Sequence, residues 1–152
     1  MRNFIFILSA LLIIACGGGS EQDSASTTPA AEPKKDKISA KVMVEGGGVY
    51  KMYCIACHME DGNGVAGLNP PLIDTKYVLG DKERLITIVL NGLNGPIEVK
   101  GETYNAVMNP HNFLSDEQIA NVLTYVRNSF GNKASQVTVE EVAKVRAANE
   151  GT

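Results

Sequence analysis

The chain has 152 residues, room for one ordinary domain with extra segments at its ends. Its net charge is -3, and no Lys/Arg block is longer than Lys34-Lys35, so the electrostatic footprint of a nucleic-acid binder is missing. Aromatic residues make up only 6% and Trp is absent, little ring area for a core of this size, which points to a non-protein filler at its centre.

Residues 1–15 read as a leader. Arg2 and Asn3 give a short positive start, and Phe4 to Ile14 form a nearly unbroken apolar run. That run is shorter than the ~20 apolar residues a mature transmembrane helix needs. Ile13-Ile14-Ala15-Cys16 resembles the bacterial lipobox, which implies cleavage before Cys16 and diacylglyceryl attachment to its thiol. The expected location is the bacterial cell envelope, facing the periplasm and held to a membrane through the lipid on Cys16. Residues 16–41 read as a tether: Gly, Ser, Thr, Ala and Pro dominate, and neither helical nor strand periodicity occurs. About 25 flexible residues have an r.m.s. span of ~25–30 Å.

From Val42 the texture changes. A short helix is expected over 42–53 despite Gly46, Gly47 and Gly48, which are tolerable where another backbone approaches closely. Residues 54–75 are rich in Gly, Asn and Pro and read as loop. Asp81 is an N-cap for a helix through Leu90, stopped at Gly92. Residues 93–113 read again as loop, with no convincing strand pair. Ser115 and Gln118 form a capping box before Ile119, Val122, Leu123 and Val126 at helical spacing, with a stop at Gly131. Thr138 and Glu141 form a second box opening a last helix over 139–148, expected to pack back on the domain. The fold class is therefore all-α, with helices and long loops around a prosthetic group. Residues 42–133 form the domain proper and 134–152 a C-terminal tail with a short helix.

The chemistry concentrates at Cys54-Ile55-Ala56-Cys57-His58, the spacing of a c-type haem attachment site. Two thiols three residues apart on one turn add across the vinyl groups of one porphyrin, and the next residue offers a neutral imidazole nitrogen to the iron. Two other chemistries use similar residues. A thioredoxin-like pair belongs between a strand and a helix, whereas this pair follows a helix and enters a loop. A zinc site needs four ligands, and only His111 remains to join Cys54, Cys57 and His58.

Gly46-x-x-x-Tyr50-x-x-x-Cys54-x-x-Cys57-His58, Asp61-Gly62-Asn63-Gly64, Asn69-Pro70-Pro71-Leu72, Tyr104-Asn105-x-x-Met108 and Asp116-Glu117-Gln118-Ile119 to Phe130-Gly131-Asn132 resemble the class I cytochrome c family. The resemblance covers residues 42–133, and it is nearest to single-haem domains that occur free or fused to bacterial respiratory enzymes. It implies one covalent haem c with iron, bound through Cys54 and Cys57. His58 is implied as the first axial ligand and Met108, 50 positions later, as the second, with His111 the alternative. Pro70 or Pro71 is implied to accept a hydrogen bond from the His58 ring, and the first and last helices to cross at Gly46, Tyr50 and Tyr125.

Such an iron has both axial positions filled, which implies single-electron transfer, as a shuttle or as an accessory subunit of a respiratory enzyme, and no catalysis of its own. If Met108 did not bind, the open iron would instead suit a haem enzyme or a gas or peroxide sensor. Residues 42–132 carry six Lys/Arg against ten Asp/Glu, net -4. The redox partner is therefore expected to dock through a basic face, or through an apolar one with a polar rim.

Overall fold

The computed structural model describes residues 37–150. The expected leader, Cys16 with its lipid, and the tether up to residue 36 lie outside the described residues. The element order is α1 (Ala40–Tyr53), α2 (Ile55–His58), α3 (Lys76–Leu79), α4 (Lys82–Asn91), β1 (Ile97–Val99), β2 (Glu102–Tyr104), α5 (Asp116–Asn128) and α6 (Val139–Glu150). No helix among the described residues is long and apolar enough to cross a membrane.

The caps explain most boundaries. Ser39 accepts from the Val42 amide, so α1 opens at Ala40, two residues earlier than the apolar pattern suggests. Asp81 accepts from the Arg84 amide at 2.7 Å and starts α4. Ser115 and Gln118 close the expected reciprocal box at α5, as Thr138 and Glu141 do at α6.

Helices α1 and α5 cross so closely that a Cβ on Gly46 would stand 2.2 Å from the Asn121 carbonyl oxygen and 2.8 Å from Tyr125 Cβ. Gly48, two residues on, has open space around it. The glycine at the crossing is therefore a packing requirement, whereas the one at Gly48 only costs helix propensity. Tyr50 is 1% exposed, with its ring 5.6 Å from Tyr125 and 5.3 Å from Phe130.

Helix α6 packs back on α4 and α5 and adds Val142 to the core. The segment leading to it is tied down by polar groups. The Thr124 hydroxyl donates to the Val137 carbonyl and accepts from the Val137 amide, and buried Arg127 donates to the carbonyls of Ser135, Val78 and Gly80. At the far end, Arg146 donates to Asp116 at 2.7 Å and to the carbonyls of Asn112 and Leu114. Burial holds the Arg127 pKa down, opposed by nearby Glu141.

Three elements differ from the sequence expectation. Helices α2 and α3 occupy single turns of four residues, too short to show a period, although Thr75 caps α3. The segment read as loop over 93–113 contains an antiparallel hairpin pairing Ile97 with Tyr104 and Val99 with Glu102. Its two-residue turn is Lys100-Gly101, at φ 54° and 82°. Asn or Asp usually fills the first of those positions, so Lys hid the turn.

Candidate functional site

Helix α1 runs directly into the motif. The Cys54 amide donates to the Tyr50 carbonyl, and the Cys57 and His58 amides both donate to the Cys54 carbonyl. Cys54, Cys57 and His58 are thereby held on one turn. Met59, at φ 64°, ends it, and its carbonyl accepts from the Tyr50 hydroxyl at 2.7 Å. Burial, with smaller contributions from Cys54, Tyr125 and Asp61, raises the Tyr50 pKa and keeps its phenol a donor.

His58 Nδ1 lies 3.1 Å from the Pro70 carbonyl oxygen. A carbonyl only accepts, so Nδ1 carries the proton and Nε2 keeps its lone pair. Of the two candidate prolines, Pro70 makes this bond. Burial lowers the His58 pKa, the bond to Pro70 partly opposes it, and nearby His111 lowers it further. The ring is thus held in the neutral form that binds metals. The loop carrying Pro70 is pinned from behind: Asn132 donates to the carbonyls of Leu72 and Val126 and accepts from the Asp74 amide.

Met108 is half-buried and held by a two-bond bridge to Leu93, 2.9 Å each way. Gly92, at φ 73°, both stops α4 and lets this strand close in. A Cβ there would stand 2.4 Å from the Met108 carbonyl oxygen.

Cys54, Cys57, His58, Pro70, Met108 and His111 all line one open cavity. It adjoins a second, almost wholly apolar, walled by Pro71, Leu72, Val78, Leu85, Val99 and Val126 among others. Cys54, His58, Pro70, Leu93, Ile97 and Met108 line both. Leu93, Ile97 and Tyr104 were not legible as site residues. They reach the cavity through the hairpin and the bridge, neither of which left a local pattern.

The competing chemistries fit poorly. Burial, with a smaller contribution from Cys57, pushes the Cys54 thiol up to about 11, the reverse of an activated redox cysteine. Among the described residues no three His, Cys, Asp or Glu side chains gather as a metal cluster. A flat apolar group bearing its own metal fits instead. The cavity offers apolar walls, two thiols on one turn, an imidazole with a bare nitrogen and a thioether.

Residues 43–130 match the Cytochrome c family. The chain is a member of that family. The fold agrees: helices and long loops, with one small hairpin. Membership implies covalently bound haem c with its iron, and an electron carrier that is not itself a catalyst. A cytochrome c-552 of Thermus thermophilus is 39% identical over 118 residues, covering 71% of this chain and 78% of that protein. The cytochrome c subunit of a quinone-type alcohol dehydrogenase from Gluconacetobacter polyoxogenes is 36% identical over 107 residues, covering 68% of this chain but 22% of that subunit. The gluconate 2-dehydrogenase cytochrome c subunit of Pantoea cypripedii is 36% identical over 105 residues, 66% of this chain and 24% of that subunit.

Proposed function

We propose that this cytochrome is a lipid-anchored carrier of single electrons with one haem, bound by Cys54 and Cys57 as thioethers and ligated by His58 and Met108. The observation that carries the reading is the shared cavity: His58, with Nδ1 committed to Pro70, and the bridged Met108 line the same space as both thiols. The haem supplies the redox couple. The chain supplies the rest. Pro70 fixes the tautomer and orientation of His58, and Leu93 holds the Met108 backbone. Apolar walls line the second cavity for the haem, and the Met108 thioether favours the reduced state and raises the potential.

Cys16 is the lipid site in this reading, holding the domain at the periplasmic side of a bacterial membrane through residues 17–41. Redox proteins are the partners. The dehydrogenase subunits among the relatives support an accessory role on such an enzyme. The fuller coverage of cytochrome c-552 supports a single-haem carrier.

Expression with a cytochrome c maturation system tests this. Expected are the mass of one haem added per chain, a reversible one-electron titration, and the weak far-red band of sulfur-bound ferric haem, lost in Met108→Ala. Cys16→Ser should move the protein from the membrane to the soluble fraction. A chain that matures without covalent haem, or a far-red band that survives Met108→Ala, would overturn the ligand assignment.

A further inference from the structure

The chain has two histidines, and both line the same cavity. His58 has a defined role there. His111 does not, and its Nδ1 is buried with no hydrogen-bond partner, which ordinarily costs ~1–3 kcal/mol. Ring packing gives that nitrogen no partner. The ring packs against those of Tyr53 and Phe113, with centroids 6.5 and 5.8 Å away, and these two are themselves 5.4 Å apart; Phe113 is 64% exposed.

The backbone here is anchored independently of Met108. The His111 amide donates to the Val89 carbonyl at 2.8 Å, and its carbonyl accepts from the Leu114 amide at 3.1 Å. Just beyond, Arg146 holds the carbonyls of Asn112 and Leu114. Met108, three residues earlier, is held through the separate Leu93 bridge, flanked by exposed Val107, Asn109 and Pro110. Displacing the Met108 side chain therefore breaks none of the bonds that fix His111.

We propose that His111 is a reserve iron ligand, an imidazole held at the cavity that takes the axial position when Met108 leaves it. The inference rests on the His58/Met108 reading. In the exchange the iron–sulfur bond breaks and an iron–nitrogen bond forms at the unprotonated nitrogen of neutral His111, while the other nitrogen keeps its proton. No electron moves. Replacing a thioether by an imidazole lowers the potential, so the exchanged form is a poorer acceptor of electrons.

The test compares ferric holo-proteins of wild type, His111→Ala, Met108→Ala and Met108→Ala/His111→Ala by electron paramagnetic resonance, optical spectra and azide titration. His111→Ala alone should keep the wild-type spectrum, and a Met108→Ala/His111→Gln protein guards against a folding defect in the double alanine variant. Met108→Ala should give a low-spin iron with a two-imidazole signature. If His111 fills the position most of the time, azide should bind it on the order of tenfold more weakly than it binds the double variants. A high-spin Met108→Ala protein that binds azide as the double variants do would overturn the proposal. So would a low-spin signature persisting in both double variants, since another side chain would then be the ligand. Survival of the wild-type sulfur band in Met108→Ala would instead overturn the Met108 reading, and the exchange with it.

Discussion

The α1–α5 crossing and the wall formed by residues 93–114 are built on different principles. At the crossing, Gly46 meets the Asn121 backbone, Tyr50 sits among the rings of Tyr125 and Phe130, and Ile119 is fully buried. Protein atoms supply each of these partners. The wall has a two-residue hairpin turn, a two-bond bridge at Met108, a buried His111 nitrogen without a partner and a Val107 side chain 63% exposed. Much of what it faces is cavity. The crossing is completed by protein atoms, whereas the wall borders open space.

Substitutions can break or sharpen that contrast. The largest effect is expected from Gly46→Ala. The new methyl would collide with backbone, so overpacking at the upper end of ~1–3 kcal/mol should outweigh the ~1 kcal/mol gained in helix propensity, for a net loss of about 2 kcal/mol by urea denaturation. Next is Asn132→Ala, which strips partners from Leu72, Val126 and Asp74. A loss of about 1–2 kcal/mol is expected on the same assay. Gly48→Ala should go the other way, adding ~0.5–1 kcal/mol, because its Cβ meets nothing. If both glycine substitutions destabilised equally, the crossing would not be the specific contact described.

The smallest effect concerns pH. Hydrogen bonds from the Asn63 amide and side chain hold the Asp61 carboxyl below its usual range. Its stabilising contribution is present above the unfolded-state pKa and lost as pH falls through the lowered folded value. Asn63→Ala should flatten that acid limb in denaturation curves recorded across the acid range. An unchanged slope would count against the Asp61–Asn63 contact.

How much was legible in the sequence follows the same division. The caps at Asp81, Ser115 and Thr138 and the close approach at Gly46 rest on local pairs or on one face of a helix, and each appears as expected. The attachment motif is local too, and its turn agrees with its spacing. What was hidden depends on chain segments far apart. Choosing Pro70 over Pro71 needs the fold of the loop, and the Leu93–Met108 bridge joins residues with no shared periodicity. The hairpin strands are three residues long, below the length at which alternation shows. Gly46 and Gly48 are identical in sequence and opposite in role, a difference only the position of α5 creates.

The measurement that tests the central claim most directly is X-ray absorption at the iron edge of the ferrous, fully matured protein. A sulfur scatterer beside the nitrogen shell, absent from Met108→Ala, is the expected result. A shell of nitrogen alone in the wild-type protein would contradict Met108 as the resident ligand and turn attention to His111.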